Sequence, residues 1–183
     1  LGKAVDQFWL DTRHYPSMEE GLAALVTRPP NEPNWGGPYL QKDVPLVTKD
    51  DFREAAAVIF GKPTRFGNVS AQLKNQIDQL SDLWGKGELE GKPAGVFVST
   101  ASLHGGQETT LLTLMAPLLH LGFILVGVPY SVQELFTTTG GGSPYGPGHV
   151  AGGDGQRDLD EKEKAICRAL GKRVAEVAKK LRG

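Results

Sequence analysis

The sequence predicts an α/β protein built on a parallel sheet and preceded by a helical segment of different composition. Three observations carry that expectation. From Val47 onward, apolar runs of strand length alternate with stretches of helical periodicity, a pattern that calls for crossover connections and hence parallel strands. The apolar run Ala55-Ala56-Ala57-Val58-Ile59-Phe60 passes directly into Gly61-Lys62-Pro63-Thr64-Arg65-Phe66-Gly67-Asn68, as a buried strand does when it ends at a ligand-binding edge. Residues 1–46, by contrast, combine helical periodicity with a proline-rich connector.

Leu1, Ala4, Val5, Phe8 and Trp9 recur at helical spacing, predicting an amphipathic helix that stops near Asp11. Ser17, with Glu20 three residues on, reads as the capping box of a second helix with Leu22, Leu25 and Val26 on its apolar face. Pro29, Pro30, Pro33, Gly36, Gly37 and Pro38 then enforce a long loop. A short capped helix is expected over 48–54 and a first strand over 55–61. A helix follows over 70–83, with Leu73, Ile77 and Leu80 on one face. Strands are expected at 94–100 and 122–128, flanking a helix at 107–121. A closing helix over 160–182 buries Ile166, Leu170, Val174, Val177 and Leu181.

Composition bounds the function. A chain of 183 residues, 39% apolar and 22% charged, suits one domain or a domain with a small appendage. A net charge of −1 with no basic patch argues against a nucleic-acid surface, and 24 glycines and 12 prolines indicate many turns at strand ends. The single Cys167 excludes an internal disulfide; beside Ile166 it reads as a packing residue with no activating base. No apolar run approaches the roughly 18 residues that cross a bilayer. The sequence opens at Leu1, not Met, without a signal-peptide pattern, and reads as a fragment whose upstream residues could have carried a targeting or membrane segment.

In a parallel sheet, three strand-end segments converge on one crevice: 63–68, 99–107, and the stretch from Pro129 into Thr139-Gly140-Gly141-Gly142-Ser143-Pro144-Tyr145-Gly146. Small residues are common at such ends, so each segment alone says little. Together, with Trp84 and Tyr145 available to cover an aromatic ligand, they favour binding. His104 by itself reads as a surface histidine. No metal-ligating cluster and no catalytic acid or nucleophile stand out.

The opening residues Leu-Gly-Lys-Ala-Val-Asp-Gln-Phe-Trp-Leu-Asp-Thr-Arg-His-Tyr-Pro-Ser-Met-Glu-Glu-Gly-Leu-Ala-Ala-Leu-Val, with Pro33-Asn34-Trp35 and Gly37-Pro38-Tyr39-Leu40, resemble the start of the soluble domain of the major pseudopilin of bacterial type II secretion. That resemblance ends near Leu46, and nothing from Val47 onward supplies the carboxylates of that family's calcium loop. It implies contacts with other pseudopilins through residues 1–46 and an inner-membrane or periplasmic setting.

A second resemblance runs from about Val47 to the C-terminus. Val-Ile-Phe-Gly-Lys-Pro-Thr-Arg-Phe-Gly-Asn-Val-Ser, Leu83-Trp84, 97–100, His104-Gly105-Gly106-Gln107-Glu108-Thr109-Thr110, Pro144-Tyr145-Gly146 and Ala151-Gly152-Gly153-Asp154-Gly155 resemble the WrbA family of flavodoxin-like, FMN-dependent NAD(P)H:quinone oxidoreductases. The implied division is a pseudopilin-like segment at 1–46 and a partial flavodoxin-like FMN-binding domain at 47–183. The implied activity is two-electron transfer from NAD(P)H through FMN to a quinone, in a cytoplasmic dimer or tetramer. By resemblance, FMN would be bordered by Pro63, Thr64, Arg65, Phe66, Gly67 and Asn68. Ser99, Thr100, Ala101, Ser102, Leu103, His104, Gly105 and Gly106 would wrap its pyrimidine end with amide donors. His120 would approach the ring from a neighbouring strand, and Trp84 would wall the quinone pocket.

One departure stands out. A flavodoxin-like fold begins with a strand and a Ser/Thr/Gly-rich loop that cradles the FMN phosphate, and here the pseudopilin-like segment stands in their place. Losing several charge-assisted phosphate bonds, each worth roughly 1.5–3 kcal/mol, predicts weakened FMN binding. The strand ending at Gly61 is also expected to keep an unpaired apolar edge that invites another chain. The competing readings are a non-enzymatic protein of the secretion apparatus and an inactive chimera joined at residues 46–47.

Overall fold

The structure, a computed structural model, describes residues 2–17, 21–39 and 46–182. The chain divides into two compact units, Leu1–Thr48 and Lys49–Gly183.

The first unit holds helix α1 (Gly2–Thr12) and a short 3₁₀ helix, Gly21–Leu25. Its core is Ala4, Val5, Phe8, Ala24 and Leu25, with Trp35 and Tyr39 packed against it. The proline-rich segment closes over these residues through polar bonds at its aromatic tips. Trp35 Nε1 donates to the Ala24 carbonyl at 2.7 Å, and the Tyr39 hydroxyl donates to Asp11 Oδ2 at 2.7 Å. Glu32, nearly buried, pairs with His14, whose ring stands edge-on to Phe8. In place of the helix expected after Ser17, the described residues hold only the 3₁₀ turn: Ser17 lies outside any helix, and the capping partner Glu20 falls outside the described residues.

The second unit is a four-stranded parallel sheet. Its elements are α2 (Lys49–Glu54), β1 (Val58–Pro63), α3 (Ala71–Asp78), α4 (Ser81–Gly85), β2 (Pro93–Thr100), α5 (Gln107–His120), β3 (Ile124–Leu125), α6 (Glu134–Thr137), β4 (Gly148–Val150) and α7 (Glu161–Arg182). Strand β2 is central. It pairs with β1 along its whole length, from Val58 opposite Ala94 to Pro63 opposite Ser99. On its other side it pairs with β3 at Pro93–Ala94 and with β4 at Val98–Thr100, so β3 and β4 occupy one interrupted lane. Among the described residues no strand pairs with the outer edge of β1. Pro63, which cannot donate a ladder hydrogen bond, is tolerated at that edge.

Three expected elements differ. The strand expected at 55–61 forms at Val58–Pro63, because the chain bends at Ala56 and Ala57. The helix expected at 70–83 breaks into α3 and α4 around Gln79 and Leu80, where Leu80 N–H bonds to the Ile77 carbonyl at 3.0 Å. That tighter turn eclipses residues three apart, and Ile77, Leu80 and Leu83 all bury as a result. The strand expected at 122–128 keeps a ladder only at Ile124–Leu125, because the glycine-rich stretch leans on its far end. Val128 N–H donates to the Pro144 carbonyl, and a Cβ on Gly146 would stand 2.2 Å from the Val96 oxygen. Residues 144–146 therefore fill the gap between β3 and β4 beside the sheet, while Gly141 and Gly142 back onto Gln107 at the start of α5. Strand β4 itself was not expected.

Two apolar layers cover the sheet. One side holds Phe52, Phe60, Ile77, Leu80, Leu83, Val96, Leu111, Leu114 and Leu118; the other holds Val126, Val128 and the stripe Ile166, Leu170 and Val174 of α7. Gly95 lets α7 lie close, since a Cβ there would meet Val174 at 3.1 Å and Leu170 at 3.2 Å. Lys92 anchors α2 by donating from Nζ to the carbonyls of Phe52 (2.5 Å) and Arg53 (2.6 Å). No helix among the described residues is long and apolar enough to cross a membrane.

Candidate active site

Because β1, β2 and β4 are parallel and in register at their ends, the chain leaves all three at one edge of the sheet. The loop after β1 is a two-residue turn. Arg65 and Asn68 exchange both backbone hydrogen bonds, at 2.9 and 3.0 Å, and Phe66 and Gly67 between them have φ of 52° and 75°. Positive φ at both central positions is the type I′ geometry, which favours Asn-Gly. Phe66 is there instead, and its side chain is fully solvent-exposed.

Thr64 fastens this turn to α5. Its Oγ1 accepts the Gly67 N–H at 3.1 Å and lies 2.7 Å from Thr110 Oγ1. The Thr110 hydroxyl donates to the Gly106 carbonyl at 2.7 Å, so the proton between the two threonines comes from Thr64.

The loop after β2 folds back on itself. The Thr100 hydroxyl donates to the Ser102 carbonyl at 2.7 Å, and the Gly105 N–H reaches the same carbonyl at 3.1 Å. Gly106, at φ 88°, caps α5 without a side-chain bond. Residues 101–104 are exposed, and the amides of Ser102, Leu103 and His104 have no protein acceptor among the described residues. Polar hydrogens thus stand ready beside the exposed Phe66 turn and the positive end of a 14-residue helix dipole.

The expected site residues fall into two groups. Pro63, Thr64, Arg65, Phe66, Gly67 and Asn68 lie with Ser99, Thr100, Ala101, Ser102, Leu103, His104, Gly105 and Gly106 at this edge. His120 and Trp84 lie elsewhere. Helix α5 runs back from that edge, so its last residue, His120, ends roughly 20 Å away, and on a helix, not a strand. There it meets Trp84 of α4 in a groove of about 250 Å³ lined also by Ile77, Asp78, Ser81, Pro117 and Leu121.

Sequence reasoning missed a buried polar network behind the loops. Glu163 of α7 is fully buried. It accepts from Arg157 Nη1 at 3.0 Å, from the amides of Asp160 (2.9 Å) and Val150 (3.1 Å), and faces His149 Nδ1 at 3.2 Å. Burial alone would raise its pKa, but Arg157, these amides and His149 together hold it below the usual carboxylate value. A carboxylate at 163 on the stripe 163–166–170–174 was the available signal. Cys167, read from the sequence as a packing residue, is instead exposed on α7; desolvation and the Glu163 charge push its thiol up, so it is no activated nucleophile.

The described residues fit the ring end of a flavin: outward amides, an exposed aromatic turn and two loops in backbone contact. A loop for the flavin phosphate is not among them.

Residues 22–136 match the model of the family described as NADPH-dependent FMN reductase. An NAD(P)H dehydrogenase (quinone) of Trichlorobacter lovleyi is 51% identical over 140 residues, covering 75% of this chain and 69% of its own length. Its namesake in Geobacter metallireducens is 49% identical over 142 residues, covering 76% and 70%. A solved WrbA-like flavodoxin of Agrobacterium tumefaciens superposes with a TM-score of 0.57 at 27% identity, over 72% of this chain and 71% of that one. The sheet is accordingly flavodoxin-like, and the chain belongs to the NADPH-dependent FMN reductase family.

Proposed function

We propose that the chain is an FMN-dependent NAD(P)H:quinone oxidoreductase. The observation that carries this reading is the pair of loops clasped at Gly67 and Gly106, with the amides of 102–104 open on their exposed side, in a member of this family. FMN, when bound, supplies the chemistry: it accepts two electrons from NAD(P)H and returns them to a quinone. The chain's own residues bind and orient. Residues 102–104 present N–H donors to one rim of the ring, where negative charge accumulates on reduction and fixed donors stabilise it. Phe66 offers an apolar face to a planar partner. Thr64 and Thr110 hold the two loops at a fixed separation, so neither must rearrange when a ligand enters.

The reading includes self-association of the chain, supported by the open edge of β1 and the exposed Ile59 on it. It also includes a cytoplasmic setting, where NAD(P)H is available. For residues 1–46 we infer a pseudopilin-like module that contacts other pseudopilins. The support is the motif resemblance and a core of their own around Phe8 and Leu25.

The test is direct. Purified protein titrated with FMN should quench flavin fluorescence, and in the absence of oxygen the complex should oxidise one equivalent of NADH or NADPH per flavin and turn over further only when a quinone is present. Absence of quenching at millimolar FMN would discard the oxidoreductase reading and leave the secretion-related one.

A further inference from the structure

Gln107 opens α5, yet it is buried and both ends of its side-chain amide are engaged. The Gly142 N–H donates to Oε1 at 3.3 Å, which fixes the orientation of the amide. Nε2 therefore donates to Thr100 Oγ1, at 3.1 Å. Glycines make this reach feasible: a Cβ on Gly148 would stand 2.1 Å from Oε1, and one on Gly141 2.9 Å from Nε2.

A hydroxyl carries one proton. With a lone pair of Thr100 Oγ1 taken by Gln107, that proton is directed to the Ser102 carbonyl, which also accepts from Gly105. The peptide joining Ser102 to Leu103 is planar and trans, so its C=O and N–H point in opposite directions. Drawing the Ser102 carbonyl into the loop turns the Leu103 N–H outward. Hydrogen bonds in such a chain also polarise one another, which strengthens the terminal donor.

We propose that Gln107 is a positioning residue for flavin recognition, acting through the Thr100 hydroxyl to aim the Leu103 amide at the bound ring. This rests on the FMN reading and adds the residue that sets the donor. Its consequence is selective, because a donor aimed at the ring rim matters most when the ring is reduced and negatively charged.

The experiment is a double-mutant cycle on the two-electron midpoint potential of the bound flavin, which gives the ratio of reduced-flavin to oxidised-flavin affinity. Gln107→Met and Thr100→Val should each lower that ratio about tenfold, a fall of about 30 mV. The double variant should fall no further than either single one, and Thr100→Ser, which keeps the hydroxyl, should retain the wild-type potential. In flavin-free protein, exchange of the Gly105 amide should quicken in Gln107→Met and Thr100→Val but not in Thr100→Ser. This arm decides the matter if Gln107→Met binds flavin too weakly to poise. A wild-type potential in Gln107→Met, or shifts that add in full, overturn the role of Gln107 and leave the FMN reading standing. A wild-type chain that takes up no flavin overturns both.

Discussion

A Cβ on Gly106 would stand 2.9 Å from the Gly67 Cα, so the turn after β1 and the start of α5 meet backbone to backbone. Neither position tolerates a side chain easily, since both have positive φ. The separation of the two loops is thereby set by the main chain, and the threonine pair Thr64–Thr110 holds it from below.

Gly106→Ala should therefore be costly twice over. A left-handed backbone disfavours any L side chain by about 1 kcal/mol, and the added methyl must displace Gly67. A loss of about 2 kcal/mol in urea unfolding is expected, with FMN affinity reduced by more than tenfold. Unchanged stability with normal flavin binding would show that the loops can part freely.

Phe66 runs the other way. It occupies the first central position of a type I′ turn at φ 52° with its ring in solvent, so the fold gains nothing visible from it. Residues that cost stability at exposed turns are commonly kept for binding. Phe66→Asn, which suits the turn, is expected to raise stability by about 0.5–1 kcal/mol while weakening quinone or flavin binding. Equal or lower thermal stability, with KM for the quinone unchanged, would refute that role.

Much of this was legible in the sequence because it is local. The strand that runs into Thr64–Asn68, the β2 strand and the long helices follow from apolar periodicity, and their ends follow from glycine and proline. Strand β4 was hidden because Gly148-His149-Val150 is too short and too poor in apolar residues to show a period; it exists because β2 has an open edge at Val98–Thr100. The break at Leu80 is a tertiary effect, in which burial of Leu80 and Leu83 outweighs helix continuity. His120 was expected near the ring only by resemblance; within one chain the direction of α5 puts it at the opposite edge from the loops.

In the first unit, Tyr39 should be the polar clasp of the proline-rich segment. Its hydroxyl donates to Asp11 and accepts the Gly36 N–H at 2.8 Å, and burial followed by the Asp11 bond raises its pKa. Tyr39→Phe keeps the ring against Phe8 but loses both bonds, so a cost of about 1–2 kcal/mol is expected, together with faster exchange of the Gly36 amide. Exchange at Gly36 identical to the wild type would contradict this assignment.

Glu163 makes the acid stability of the second unit predictable. Burial opposes its ionisation, yet the Arg157 guanidinium, the amides of Asp160 and Val150 and the His149 ring outweigh burial, so the folded-state pKa lies below the unfolded one. A depressed carboxyl pKa favours the folded state in full above the unfolded value of about 4.3, and that contribution disappears as pH falls through the lower folded value. Glu163→Gln removes the charge and leaves Arg157 and His149 without their buried partner. At pH 7 the expected loss is about 3 kcal/mol, at the low end for a broken buried pair because Arg157 keeps contact with water. Other carboxyls with lowered pKa, Asp160 among them, remain in both proteins, so the informative quantity is the difference between the two unfolding curves. That difference should be constant from pH 7 to about 5, then shrink steadily toward pH 3 as the wild-type carboxylate takes up its proton. A difference that stays the same down to pH 3 would mean that Glu163 contributes packing alone and that its charge does no work in holding α7 to the end of β4.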